Sequence, residues 1–256
     1  MRTFCFILLM SSSLVGAELA IDKTSLTKIG LQVWQNECRG TLDGLVTWNA
    51  GEEFPSLGIG HFIWYPTGAT QTFQETFPLL ISFFKEQEVE VPSWLVKSRG
   101  CPWKTREDFQ KAKRGKKVRE LRDLLSSNLD LQIRFIYQRF QLAEKELLPS
   151  LSKKEVENLE KLKKSPQGIY ALIDYMHFKG TGLSPKERYR GEGWGLLQVL
   201  QEMGEIAEGD SGIDAFTTSA KKVLAKRVRN APLQRNEDRW LKGWHARLET
   251  YSSIHF

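Results

Sequence analysis

The stretch from Trp34 to Pro66, WQNECRGTLDGLVTWNAGEEFPSLGIGHFIWYP, most limits what this chain can become. Ile29, Val33 and Trp34 recur at helical spacing, with Ser25 or Thr27 as N-cap and Gly40 as stop, so a helix ends near Cys38. Gly44 to Asn49 then reads as a strand, Ala50 to Glu53 as a turn, and Phe54 to His61 as a return strand. Gly58 and Gly60 weaken a packed strand and fit a backbone that something approaches closely. Any fold must therefore seat a small hairpin at the end of a helix.

The rest is helical in pattern. Phe73 to Glu86 predicts a helix, Pro92, Gly100 and Pro102 break the next segment, and Lys111 to Ser126 predicts a basic helix. Leu129, Ile133, Ile136, Phe140, Ala143 and Leu147 form one apolar stripe, a core face that Pro149 ends. Further helices are expected over 153–163, 170–178, 196–203 and 215–229, with a Gly-rich bend at 191–195. After Pro232 comes a final helix carrying Trp240, Trp244 and Leu248. The class is α+β, mostly helical with a small sheet.

Arg2, the apolar run Phe4 to Met10 and the small residues Val15-Gly16-Ala17 have the order of a secretion signal. The expected leader is 1–17, with Ala20 as a second cleavage point, and the expected location is periplasmic or secreted. A buried first helix is the rival account. One domain is then expected over 21–256, and its 41% hydrophobic content is enough for a core. Cys38 and Cys101 remain after cleavage, and an oxidising compartment invites a disulfide between them. Two buried free thiols are the alternative.

Nine Lys or Arg against four Asp or Glu lie between Lys104 and Asp123. Such a band suits an anionic surface, or else is a solvated helix face. Nucleic acid is not expected as a partner of a secreted chain. The histidines His61, His177, His245 and His255 are scattered, so no metal or cofactor is expected. The Gly-x-Gly at Gly58 lacks the Lys-Ser/Thr of a phosphate loop.

One acid at a helix end, followed by an acid-bearing hairpin, matches what glycosidic cleavage needs. One carboxyl protonates the leaving oxygen, and a second group acts at the sugar carbon. Glu37 is the first acid, and Glu52 and Glu53 in the turn are candidates for the second. Taken singly, each reads as an ordinary solvent-facing residue. Sugar rings stack on aromatic faces, and Trp48, Tyr65, Tyr175 and Trp194 are the candidate substrate-binding rings. Packing of the small lobe is the other use for such rings, and the one expected of Phe54.

The Glu37 helix end, the hairpin and the Ser56–His61 run resemble the start of the phage-type lysozymes. Ala171 to Gly180, Trp194 to Gln198, and Trp240 to Tyr251 are similar, in order, to later segments of that family, while 66–150 is an inserted helical and basic region. The resemblance implies a small N-terminal β-lobe and a larger helical lobe. It implies Glu37 as general acid, Ser56 in place of a Thr that holds the attacking water, and His61 as a structural support for the hairpin. The family keeps an Asp several residues before that Thr. Here the position six before Ser56 is Ala50, so Glu52 is chosen as the second catalytic group. Related chitosanases also set their second acid a few residues before a Thr-bearing strand.

The expectation is a lysozyme-like hydrolase of a β-1,4-linked amino-sugar polymer, most directly peptidoglycan, with Glu37 protonated by burial near neutral pH. A chitosanase-like hydrolase is a related alternative. A non-catalytic glycan-binding protein on the same fold is another, and a surface-binding protein working through the 104–123 band is a third.

Overall fold

The computed structural model describes residues 21–71 and 73–254; the expected leader lies outside them. Helix α1 (Lys23–Cys38) is capped by Asp22, whose carboxylate accepts from the Ser25 amide. Ser25 and Thr27 are not the cap, and the Thr27 hydroxyl donates back to the Lys23 carbonyl within the helix. Arg39 and Gly40, both at positive φ, end it.

Three two-residue strands follow: β1 (Val46–Thr47), β2 (Ser56–Leu57) and β3 (Phe62–Ile63), antiparallel in the order β1-β2-β3. Val46 pairs with Leu57 and Ser56 with Ile63. The expected return strand thus stops at Leu57. Residues 58–61 form a tight turn, with Gly58 and His61 both at positive φ. What approaches the two glycines is the protein itself. A Cβ on Gly58 would lie 2.3 Å from the Gln132 amide oxygen, and one on Gly60 would crowd Phe62 and His177. A sheet this small has little stability of its own. It is held by Leu45, Val46, Leu57 and Phe62, all fully buried.

Helix α2 (Phe77–Glu86) begins later than expected, because residues before it run along β3: the Ile63 amide donates to the Thr76 hydroxyl, and the Thr76 amide to the Ile63 carbonyl. After the short α3 (Ser93–Val96), the expected basic helix is two helices. These are α4 (Arg106–Ala112), capped by Thr105, and α5 (Lys116–Ser127), separated by a turn at Lys113–Gly115. Helix α6 (Leu129–Leu147) buries Ile133, Ile136, Phe140, Ala143 and Leu147 of the expected stripe. Each of the large side chains among these stabilises by about 1.5–3 kcal/mol, an upper estimate.

Helix α7 (Lys153–Leu162) leads to α8 (Pro166–Lys179), which is buried without a break from Gly168 to Met176. It is buried around its circumference and packs among α1, α6, α7 and the later helices. The Gly-rich bend is a hairpin of β4 (Arg188–Tyr189) and β5 (Glu192–Gly193). Helices α9 (Leu196–Glu202), α10 (Ile213–Asn230) and α11 (Asp238–Ser253) pack in sequence and return to α8. One hydrophobic core runs from Ile21 to Tyr251, so the chain is α+β, mostly helical around a small antiparallel sheet. Among the described residues no helix is long and apolar enough to cross a membrane.

Candidate active site

Glu37 lies in the last turn of α1, where the carbonyl end of a helix disfavours a carboxylate. Its side chain is only 15% exposed. It persists there because α11 delivers a cation: Arg247 Nη2 donates to Glu37 Oε1 at 2.6 Å. The same guanidinium grips Asp174 of α8 through Nε (2.9 Å) and Nη2 (2.8 Å). Asp174 is fully buried and also accepts from the Tyr251 hydroxyl and from Asn36. Asn36 reaches the Tyr170 hydroxyl too, which bonds Thr250. Three helices thus meet on one buried polar network, and each charge in it has directed partners.

From the sheet side, His61 Nδ1 lies 3.4 Å from Glu37 Oε2, while its Nε2 is buried without a partner. His61 therefore faces the acid. That contact links the hairpin turn to α1, and other residues tie the turn down as well. His177 Nε2 donates to the Gly60 carbonyl, and the Ile59 amide donates to the buried Gln132 side chain.

Glu52 belongs to a separate knot in the turn. Its Oε2 accepts from Asn49 Nδ2 at 3.2 Å and from the Ser56 hydroxyl at 3.3 Å, and its carbonyl accepts from Trp48 Nε1. Glu53 is exposed, so the structure separates the two turn acids. Ser56 is buried and its hydroxyl proton is engaged by Glu52.

The electrostatics reverse one expectation. Burial is the largest influence on Glu37 and raises its pKa, but the charge and hydrogen bond of Arg247, joined by His177 and His61 once those rings are protonated, outweigh it and bring the value down to about 2. Glu37 is an anion at neutral pH in this state, not the protonated acid expected from burial alone. Glu52 moves the other way. Burial and the nearby charge of Glu37 raise it, against lowering hydrogen bonds from Asn49 and Ser56. His61 and His177 are both pushed down, by burial first, and stay neutral at pH 7.

The four candidate sugar-stacking rings are internal. Trp48 packs on Phe109, Tyr65 receives the Phe73 amide on its hydroxyl, and Tyr175 donates to the Trp194 carbonyl. Trp194 itself is buried beneath Arg227, 4.2 Å from its centroid. They serve the core because each has a ring, helix or guanidinium against it. Trp240, on the same helix as Arg247, is an exposed indole instead. Cys38 and Cys101 are separate buried thiols, not a bridge. The Cys38 thiol donates to the Gly58 carbonyl, and Cys101 sits beside Pro66. Burial pushes both thiols up to about 12.

No family model, curated protein or solved structure matches this chain. Its chemistry is carried by the geometry above. That geometry joins Glu37 to His61 and Glu52 to Ser56, and puts Glu52 within the field of Glu37. Arg247, Asp174 and His177 complete it. A sequence reading gives them no role because their partners here lie 73 or more positions away in the chain.

Proposed function

We propose that this chain is a lysozyme-like glycoside hydrolase acting on a β-1,4-linked amino-sugar polymer, peptidoglycan first among them. The observation that carries this reading is the largely buried carboxylate Glu37 at the end of α1, within electrostatic reach of a second, half-buried carboxylate held by Asn49 and Ser56. Two carboxyl groups in unlike environments are what acid–base cleavage of a glycosidic bond uses.

In the free protein Arg247 keeps Glu37 charged. Burial remains the strongest single influence on that group, and it favours the proton. For Glu37 to donate to the glycosidic oxygen, bound substrate must weaken the Arg247 contact so that burial prevails and the carboxyl takes up a proton. Glu52, with its raised pKa, serves as base toward a water beside Ser56, or as the anion facing the oxocarbenium-like state. The secreted or periplasmic location proposed for it rests on residues 2–17 of the sequence alone.

The test is release of soluble muropeptides from purified peptidoglycan by the mature chain. Glu37→Gln abolishes release if Glu37 is the acid; a fully active Gln variant ends that assignment. The 2.6 Å ion pair and the internal position of the four rings favour a second reading, a glycan-binding protein without turnover. Wall binding by wild type with no soluble product, unchanged in Glu37→Gln, selects that one.

A further inference from the structure

The turn between α4 and α5 builds a second site, away from Glu37. Arg119 Nη1 donates to the Arg114 carbonyl at 2.6 Å, which folds the Lys113–Gly115 turn onto the start of α5. Lys113, Arg114, Arg119 and Arg122 then line one open cavity of about 430 Å³, with Asp43 as its only acidic wall among the described residues. Asp43 comes from the 3-10 turn Asp43–Leu45 that follows α1, and its carboxylate lies 3.4 Å from Arg122 Nη2.

A solvated basic face gives a different picture. On such a face, charges point apart and pair with acids one turn away, as Lys116 does with Glu120 at 3.7 Å. Here four cations converge on a concavity. Neither Lys113 nor Arg114 has a carboxylate within ion-pair distance among the described residues. Arg122 reaches the cavity with its guanidinium tip, whose Nη2 lies 3.4 Å from Asp43, while its Nε is buried. Converged like charges repel, and a bound anion relieves that repulsion.

We propose that this cavity binds a phosphate-bearing anion. Arg114 and the donors that Arg119 and Arg122 have left beyond the Arg114 carbonyl and Asp43 can meet phosphate oxygens, and the excess of four cations over one carboxylate suits a multiply charged group better than a single carboxylate. The volume admits more than one phosphate, so a pyrophosphate or a phosphodiester headgroup fits the space. The source is a soluble phosphate compound or the headgroup of an anionic lipid, and the chemistry of recognition is the same for both. The site shares no residue with the Glu37 network, so it stands or falls independently of the hydrolase reading.

The experiment uses the whole mature chain at physiological ionic strength, where exposed charges are screened beyond about 8 Å. Pyrophosphate is titrated calorimetrically, and phosphatidylglycerol–phosphatidylcholine vesicles are co-sedimented against pure phosphatidylcholine vesicles. The test variant is Lys113→Glu with Arg114→Glu, both exposed. Lys153→Glu with Lys154→Glu, exposed on α7, is the control of equal charge change. Saturable pyrophosphate binding that weakens about tenfold or more in the test variant, and not in the control, supports the site and points to a soluble ligand. Vesicle binding with the same dependence supports the site and points to a headgroup. Absence of binding to both probes, or an equal loss in both variants, overturns the proposal.

Discussion

Arg247 and Glu37 lie 210 positions apart in the chain, yet Nη2 of one donates to Oε1 of the other at 2.6 Å. The bond ties the last helix to the first across the buried Asp174 of α8. Because two carboxylates share one guanidinium, removal of Arg247 leaves both without their cation.

Arg247→Met is therefore expected to destabilise the fold by about 3–5 kcal/mol, since the buried carboxylates lose their partner. In any folded fraction the Glu37 titration moves upward, because burial is no longer opposed by its strongest counter-charge. Urea unfolding and carboxyl-carbon NMR measure the two effects. A Glu37 titration that stays near its wild-type position sinks the account of why this acid is charged.

The same pair sets a pH dependence. The folded pKa of Glu37, about 2, lies below its ordinary value of 4.5. Its stabilisation is thus fully present above about pH 4.5 and is lost as pH falls through about 2. Thermal melts of wild type between these limits should decline more steeply than those of Glu37→Gln, which has no proton to gain. Parallel melting curves would contradict the lowered pKa.

The helical architecture was largely legible because its signals are periodic. The α6 stripe and the apolar run of α8 place their residues in the core with no knowledge of their partners. Strand length was not legible. Ile59 and His61 look like strand residues, but positive φ at Gly58 and His61 turns the chain, and the buried Gln132 that accepts the Ile59 amide is 73 positions away. The aromatic candidates failed for a related reason. A tryptophan offers the same ring to a sugar or to a guanidinium, and only the tertiary position of Arg227 decides for Trp194. The acids near the hairpin were legible as candidates, and their protonation was not, because burial can be read from an apolar pattern and a counter-ion on the last helix cannot.

Gln132 makes that turn testable. Its amide accepts from Ile59 and donates to the Leu125 and Asn128 carbonyls, so it serves both the hairpin and the α5–α6 junction. Gln132→Leu keeps the volume but orphans the Ile59 amide, at a cost of about 1–3 kcal/mol. Gly58→Ala should cost more, because it adds a Cβ 2.3 Å from Gln132 Oε1 at a residue with φ of 72°. Denaturation midpoints rank the two. Equal stability of Gly58→Ala and wild type would mean that the turn is not packed as described.

The cysteines give a chemical check. Cys38 donates to Gly58 and Cys101 pairs by its amide with Tyr65, in environments that keep both thiols protonated. Both should resist alkylation in the folded protein and react after unfolding without reductant. Mass spectrometry of non-reduced peptides reads this directly. A Cys38–Cys101 linked peptide would place the two segments together in a way the structure does not.

Lys179 is a buried cation within the field of Glu37. Its ammonium sits 3.8 Å from the Phe178 ring centroid and 3.5 Å from that of Trp244, and it is buried. Arg247 lies over the same Phe178 ring, and Arg227 is 5.0 Å from the same Trp244 ring. Burial first, then the charges of Arg227 and Arg247, hold the Lys179 pKa well below its usual value against the opposing charges of Glu237 and Glu37, while the ring faces attract the cation. A base with a lowered folded pKa binds fewer protons when folded than when unfolded. Stability should therefore rise with pH between that lowered pKa and the ordinary value of 10.5. Lys179→Met keeps the length and apolar contact of the side chain and removes the charge. It is expected to be as stable as wild type or more so at pH 7, and to lose that part of the alkaline rise. Urea midpoints across the range decide the matter. A variant markedly less stable at pH 7 would show that the cation is held favourably between the two rings, and that its charge is part of what joins α8 to α11.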